Sequence, residues 1–246
     1  MHPALLLLTD SRLPAGGHAH SGGAEQAIAS GAVHDMPSLA RFLRGRLHTA
    51  GALAAALAAT ACVQAVRTPP ATAPTDRLPA GSDADPWVVL DREVDARTAS
   101  PAQRDASRTQ GRLLVRVARR VWPSPVLDEL ARAVPHPHHP VALGVAAHAA
   151  GTTPQDAALA AAYHAVSGPA TAAVRLLGLD PVAVHGLLAN LTPELSAVSA
   201  AACPPGTSER PGSAGAGWAA LPAYSSPGLD LLAERHARAG IRLFVS

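Results

Sequence analysis

The sequence predicts an all-α protein, a single-domain multi-helix bundle over residues 1–246. Three observations predict this fold class. Apolar residues make up 48% of the chain and aromatic residues only 3%, and much of the apolar fraction is alanine, the strongest helix former. Good N-cap residues precede proline at several places, and apolar residues recur at helical spacing. No stretch shows the alternation of apolar and polar residues that is typical of a half-buried strand.

Six helices are predicted to begin where an N-cap residue precedes proline. The missing N–H of proline costs nothing at the first helical position, and the preceding side chain accepts a bond from a free backbone N–H. The six pairs are Ser100-Pro101, Ser124-Pro125, Thr153-Pro154, Asp180-Pro181, Thr192-Pro193 and Ser226-Pro227. Gln103, three residues after Ser100, adds the spacing of a reciprocal capping box.

Apolar periodicity places further helices along the chain. A helix is expected from about Gly23, another over residues 38–48, a third between Arg104 and Val121, and a last one that ends near Gly240. The apolar faces comprise Leu39, Phe42, Leu43 and Leu47, then Leu113, Leu114, Val117 and Val121, and finally Leu229 and Leu232. Stretches rich in Pro, Gly, Ser and Thr at about 68–86 and 204–218 are expected to be flexible loops within the domain.

Charge and cysteine content exclude several classes of protein. The formal net charge is +2, all 20 basic residues are arginine, and no basic run is interleaved with aromatics, so nucleic-acid binding is not expected. Cys62 and Cys203 lack CxxC spacing, which argues against a disulfide framework or a zinc cluster and favours a cytoplasmic protein. The longest apolar stretch, Ala50 to Val63, is too short to span a membrane.

The chain shows no signature of an enzyme. A phosphate loop of the GxxxxGK[ST] type requires lysine, which is absent. No catalytic triad or carboxylate pair is apparent, and alanine-rich helices offer few polar groups for a catalytic pocket. A small-molecule hydrolase would depend on Ser21 near His20 alone. The sequence therefore predicts a protein without catalytic chemistry of its own.

Glycine, proline and histidine are concentrated in an N-terminal turn that precedes the first long helices. Pro14 fixes its own φ, whereas Gly16 and Gly17 allow conformations or close approaches that a Cβ would block. The turn continues through His20 and Ser21 to Glu25. Two interpretations stay open: a surface that contacts a partner, or a simple helix entry in which Ser21 or His20 satisfies backbone groups.

Histidine is abundant, with twelve in the chain. His136, His138 and His139 form a cluster, and imidazole is a ligand that suits Ni and Zn. The alternative is that they are exposed or hydrogen-bonded loop residues, since no carboxylate or thiolate lies beside them in the sequence. They are weak candidates for metal ligands.

Five blocks of the sequence resemble the urease accessory protein UreF family. The N-terminal block DSRLPAGGHAHSGGAE is similar to the family pattern DSxLPxGGFxHSxGLE, with His18 in place of Phe and Ala24 in place of Leu. ASRTQGRLL, HHPVALG and AAVRL resemble internal family blocks, and the terminal RLFVS resembles the family ending RLFxS. The Gln that usually follows AAVRL closely is missing here, because Gly178-Leu179-Asp180-Pro181 replaces Pro-Leu-Gly-Gln.

The resemblance implies an all-helical homodimer that acts as a nickel-insertion chaperone. Such a protein bridges UreH (also called UreD) to the GTPase UreG, and couples GTP hydrolysis to Ni²⁺ delivery into apo-urease. It has no resident cofactor, since nickel is handled by the complex, although a carrier that binds nickel directly through the His cluster is an alternative. The residues expected to bind partners are Pro14, Gly16, Gly17, His20, Ser21, Glu25, Arg108, Arg112, Arg175, Arg242, Leu243 and Phe244. The apolar tail either inserts into a partner groove, which the resemblance favours, or folds back onto its own core.

Overall fold

The computed structural model describes residues 2–15, 20–68, 82–203, 221–240 and 243–244. Every regular element in these ranges is helical, so the prediction of an all-α fold is confirmed. In chain order the α-helices are α1 Ala4–Thr9, α2 Ala24–Ala29, α3 Met36–Arg46, α4 Ala52–Arg67, α5 Pro86–Arg97, α6 Pro101–Val121, α7 Pro125–Ala133, α8 His139–Ala149, α9 Pro154–Leu177, α10 Pro181–Asn190, α11 Thr192–Ala201 and α12 Pro227–Arg238. Most of the two predicted flexible loops, residues 69–81 and 204–220, lies outside the described residues.

Three of the predicted N-caps act as the sequence indicates. Ser100 Oγ accepts a hydrogen bond from Gln103 N at 3.2 Å at the start of α6. Thr153 and Asp156 form a full capping box at the start of α9. Asp180 accepts bonds from two backbone N–H groups of α10, at 3.0 and 3.2 Å. The free donors of these three helix ends are therefore satisfied by side chains.

The other predicted starts differ in detail. Helices α7 and α12 begin at Pro125 and Pro227 as expected, but Ser124 and Ser226 make no side-chain cap bond within the described residues. Helix α11 begins at Thr192 itself, because the preceding turn is already helical and Leu191 takes the cap position. The prediction of Thr192 as an N-cap is thus wrong by one residue.

The helix predicted over residues 38–48 is part of a much longer one. Helix α3 passes through a π turn, Leu47–Gly51, directly into α4. By length and composition, Met36–Arg67 is the one helix in the described ranges that could cross a membrane, but 56% of its most apolar window is buried inside the protein. Since Leu39, Leu43 and Leu47 are fully buried, we interpret it as a core helix.

The core lies between α4, α8 and α9, which pack closely against one another. Helix α8 is buried along nearly its whole length, from Pro140 to Ala147. Its Gly144 lies so near α4 that a Cβ there would come within 2.7 Å of Ala61 Cβ. Small residues thus set a short distance between these helices, as the alanine content of the sequence predicts.

The arginine-rich helix α6 has the predicted amphipathic arrangement. Leu114 and Val117 are buried against the core, whereas Arg112 and Arg116 are exposed on the opposite side. Val121, expected on the apolar face, is half exposed at the end of the helix. Helix α6 therefore separates the core from solvent and presents a positively charged outer face.

Candidate partner-binding site

The N-terminal turn enters α2 through two glycines whose backbone conformations would strain any other residue. Gly22 and Gly23 have φ values of 59° and 88°, in the left-handed region where a Cβ is strained. The preceding Ser21 is fully buried, and its Oγ accepts a bond from Glu25 N at 3.4 Å. His20 is buried as well. The described part of the turn, residues 20–23, is therefore packed into the protein and forms the entry to α2, while contact of the turn with a partner stays a prediction.

Glu25, in the first turn of α2, holds the C-terminal segment. Its two carboxylate oxygens accept bonds from the backbone N–H groups of Leu243 at 2.7 Å and Phe244 at 3.1 Å. His236 of α12 completes the arrangement, with Nδ1 3.6 Å from Glu25 Oε2 and Nε2 3.2 Å from the carbonyl oxygen of Phe244. We call Glu25, His236, Leu243 and Phe244 the tail clasp.

Phe244 anchors the tail clasp in an apolar cluster. Its side chain is buried together with Ala24 of α2 and Ala172 of α9, and Phe42 and Leu176 pack against them. The neighbouring Leu243 is 77% exposed. At Phe244 the tail thus folds back onto the core of its own chain, which is the second of the two alternatives predicted for it. The side chain of Leu243 stays exposed on the surface.

The remaining residues expected to bind partners lie at several places. Pro14 is exposed in the loop after α1, Arg112 is exposed on α6, and Arg175 is exposed in the last turn of α9, one residue before Leu176 of the Phe244 cluster. Gly16, Gly17 and Arg242 lie outside the described residues. The structure therefore brings Glu25, Leu243 and Phe244 together and leaves Pro14 and Arg112 outside the tail clasp.

Arg108 takes part in a network of ion pairs that links α5, α6 and the segment before α8. Its guanidinium donates from Nη1 to Asp91 Oδ2 at 2.8 Å and from Nη2 to Asp95 Oδ2 at 2.6 Å. Nη1 also donates to the carbonyl oxygen of His136. His138 N donates to Asp91 Oδ1, and His138 Nε2 lies 2.9 Å from Asp95 Oδ1. We call Asp91, Asp95, Arg108 and His138 the ion cluster.

In the ion cluster, burial and the neighbouring charges shift the pKa values of the side chains in opposite directions. Burial lowers the pKa of His138, and its two carboxylate neighbours only partly offset that effect. For Asp95, burial favours the protonated form, but the hydrogen bond and charge of His138, together with Arg108, outweigh it and lower the pKa. For Arg108, burial is likewise outweighed by the two carboxylates, so its pKa is raised. Asp95 and Arg108 are therefore held in their ionised, paired forms near neutral pH, whereas the lowered pKa of His138 keeps its imidazole neutral there.

The three histidines proposed as weak metal candidates do not converge on one point. Only His138 belongs to a group with metal-ligand spacing in the described part of the chain, where one ligand atom each of Asp91, Asp95 and His138 lies within 4.8 Å of the others. The ring of His139 instead faces His164, with centroids 5.8 Å apart. The side chain of His136 is exposed. Since Arg108 and His138 already use all four carboxylate oxygens, a cation would have to displace the guanidinium.

Three residues of the ion cluster and the tail clasp, Asp91, Asp95 and His236, were not predicted from the sequence. Asp91 and Asp95 share one face of α5 because they are four residues apart, and this spacing is a signal that could have been found. Their partner His138 lies 43 residues after Asp95, so the pairing depends on the fold. His236 gave no signal beyond its place in the last turn of an amphipathic helix.

Comparison with known proteins identifies the family of this chain. A family model described as UreF matches residues 33–192. The urease accessory proteins UreF of Mycobacterium sp. (strain JLS) and of Mycolicibacterium vanbaalenii are each 43% identical over 242 residues, which cover 98% of this chain and 97% of theirs. The urease accessory protein UreF of Mycobacterium tuberculosis is 40% identical over the same shares of both chains. The chain therefore belongs to the UreF family of urease accessory proteins, as the resemblance of its five sequence blocks implied.

Proposed function

We propose that this protein bridges UreH/UreD to the GTPase UreG and couples GTP hydrolysis by UreG to Ni²⁺ delivery into apo-urease. Membership of the UreF family makes it an accessory protein and not a catalytic enzyme, as predicted. Its contribution to maturation is then to bind other proteins. We further propose that it works in the cytoplasm as a homodimer.

The observation that carries this proposal is the similarity to UreF proteins over both ends of the chain. The two ends are the parts that meet in the tail clasp, where Glu25 of α2 binds the backbone of Leu243 and Phe244. A carboxylate that holds backbone N–H groups and an exposed Leu243 beside it form a surface with both polar and apolar contacts, as protein interfaces commonly have. We assign UreH/UreD to this surface.

Large apolar side chains are also exposed at a distance from the tail along the chain. Leu6 of α1 and Val182 of α10 are 67% and 77% exposed. Such residues suit contacts with a second copy or with UreG, because burying an apolar side chain on association is favourable. They supplement the residues predicted from the family blocks.

A direct nickel carrier is less well supported than a scaffold. The group with metal-ligand spacing in the described residues is Asp91, Asp95 and His138 of the ion cluster, and Arg108 already pairs with both of these carboxylates. Calorimetry with Ni²⁺ on the isolated protein separates the two functions. Micromolar binding that is lost when His136, His138 and His139 are changed would favour the carrier.

Co-purification tests the scaffold function. The tagged full-length chain is co-expressed with UreG and UreH/UreD from the same urease gene cluster, and we expect both proteins to be retained with it. Leu243→Asp should reduce retention of UreH/UreD, because a charge replaces the exposed apolar side chain of the tail clasp. Val66→Asp, at a position on α4 that is 66% exposed, is the matched control. If neither partner is retained with the unmodified chain, the proposal is wrong.

A further inference from the structure

A cleft of about 640 Å³ lies between α4, α6 and α12, and His236 of the tail clasp is among the residues that line it. Gly22 and Gly23 also line it. Its walls are largely apolar and include Leu53 of α4, Ala106 of α6 and Leu229 of α12. A cleft of this size and character is typical of sites for small molecules, which bury an apolar body and fix it by a few polar groups.

Two arginines line this cleft: Arg97 pairs with Glu93 of its own helix, whereas Arg46 is held in place by other elements of the fold. It is the last residue of α3, at the start of the π turn, and such turns are frequent at functional sites. Its Nε donates to the carbonyl oxygen of Ala165 at 2.8 Å. That carbonyl is available because Pro169, four residues later in α9, has no N–H to donate to it. The helix irregularity in α9 thus positions the guanidinium.

Gly22 makes room for the same guanidinium. A Cβ at Gly22 would lie 3.0 Å from Cζ and 3.0 Å from Nη2 of Arg46, and equally close to Pro169. The Arg46 side chain therefore passes directly over a glycine that also needs its left-handed backbone conformation. Three elements of the fold, the N-terminal turn, α3 and α9, hold Arg46 in one place.

The charge of Arg46 has no counterion in the described residues. Its bond to Ala165 is the one hydrogen bond of its side chain found there, and no carboxylate pairs with it. Four of its five N–H donors are left for another acceptor. Burial lowers its pKa to about 10, so it stays charged near neutral pH. A fixed, half-buried cation without a counterion is costly, and an anion relieves that cost.

A second polar group on the cleft is His139. Burial, together with the nearby His164 and His20, lowers the pKa of its imidazole to about 3. The ring is therefore neutral at physiological pH, and it offers one N–H donor and one acceptor without adding charge. Asp105 and Asp230 also line the cleft. Their negative charges disfavour a multiply charged anion such as a phosphate.

We propose that this cleft binds a small carboxylate with an apolar body, with the carboxylate on Arg46 and the apolar part along Leu53 and Ala106. A singly charged head matches the single uncompensated cation. The planar guanidinium pairs with a carboxylate through two parallel hydrogen bonds. The proposal goes beyond the function proposed above, because the contacts assigned to the ligand, at Arg46, Leu53 and Ala106, involve no residue of the tail clasp.

Titration of the full-length protein with octanoate tests the proposal. We expect saturable binding at one site by calorimetry, and at least about tenfold weaker binding by Arg46→Gln, since a charge-assisted bond is lost. Arg41→Gln, at an exposed position of the same helix, should bind as the unmodified protein does. Octylamine and octanol, which keep the apolar chain but not the anion, should bind at least about tenfold more weakly than octanoate.

Ala106→Phe provides a second variant that leaves Arg46 in place. The larger side chain fills part of the cleft, so octanoate binding should fall even where Arg46→Gln proves unstable. Equal affinity for octanoate and octanol, or octanoate affinity unaffected by both substitutions, would overturn the proposal. So would the absence of saturable octanoate binding by the unmodified protein.

Discussion

Arg108 uses its planar guanidinium to bridge two carboxylates that lie one helical turn apart on α5. One Nη group reaches Asp91 and the other reaches Asp95, and the carbonyl of His136 accepts a third bond. An ammonium group cannot offer donors in this fixed fork, so lysine is not an equivalent replacement. The family resemblance marked Arg108 as a residue that contacts a partner, and the structure shows that its guanidinium already has internal partners.

Replacing Arg108 tests how strongly the ion cluster supports the fold. Arg108→Leu leaves Asp91, whose side chain is only 6% exposed, as a buried carboxylate without its cation, so the free energy of unfolding should fall by about 3–5 kcal/mol. Urea denaturation measures the loss. Arg112→Leu, at an exposed position one turn further along α6, should change it by less than about 0.5 kcal/mol. Equal effects of the two substitutions would contradict this role of the cluster.

The lowered pKa values of two neighbouring histidines, His139 and His164, predict that the protein becomes less stable in acid. Burial lowers the pKa of His139 to about 3 and that of His164 to about 4, from an ordinary value of 6.5. As the pH falls from 6.5 towards 4, the unfolded chain therefore takes up protons that the folded chain does not, and the free energy of unfolding decreases. Above pH 6.5 these residues are neutral in both the folded and the unfolded state, so no stability is lost through them there.

Replacing His164 should make the acid sensitivity smaller. His164→Gln removes one of the two groups, so the slope of unfolding free energy against pH between 4 and 6.5 should flatten by up to about 1.4 kcal/mol per pH unit. Urea denaturation at a series of pH values measures it. His185→Gln, on the exposed face of α10, is the control. An unchanged slope in His164→Gln would show that this ring is protonated in the folded protein.

Helix starts are the elements that the sequence predicted best. An N-cap residue and a proline act within one turn of the chain, so local chemistry alone decides them, as at Thr153 and Asp180. Where tertiary contacts compete, local rules fail. Gln103 was expected to complete a capping box with Ser100, but its side chain instead donates to Asp230 of α12 at 3.1 Å, while Ser100 Oγ donates to Glu234.

The free energy of unfolding distinguishes an N-cap residue that makes its side-chain bond from one that does not. Thr153→Ala should lower the free energy of unfolding by about 1 kcal/mol, because its Oγ1 accepts from Asp156 N at 3.1 Å. Ser124→Ala should have almost no effect, since Ser124 makes no cap bond. Thermal denaturation of the two variants provides the comparison. A larger loss from Ser124→Ala than from Thr153→Ala would contradict the assigned caps.

At the scale of the whole molecule, the sequence predicted the class of fold but not its long-range contacts. Alanine content and helix starts were enough for an all-α bundle. The pairing of His138 with Asp91 and Asp95, and of Glu25 with the tail, joins residues far apart in the chain. Neither periodicity nor spacing contains that information, because it depends on how complete helices pack. Family resemblance marked Glu25 and Phe244 but not the bond between them.

Removing residues 242–246 tests the tail clasp in the assembled protein. Helix α12 ends at Arg238, and the described tail residues 243–244 lie outside any helix, so we expect far-UV circular dichroism to be unchanged. UreH/UreD binding in the co-purification assay should weaken at least about tenfold because the apolar anchor is lost. Val66→Asp again serves as a control for binding. A parallel loss of helical signal would show that Phe244 supports the core and not the interface.

The bond between Glu25 and Leu243 spans 218 residues of chain. Closing it brings together two segments that are far apart in the chain, so the entropic cost of joining them is met by the packing of the helices between. Local opening of the segment at Leu243 and Phe244 would expose the apolar seat of Phe244 and leave the Glu25 carboxylate without its two backbone donors. We therefore expect the tail clasp to be among the first contacts to open when the protein is destabilised.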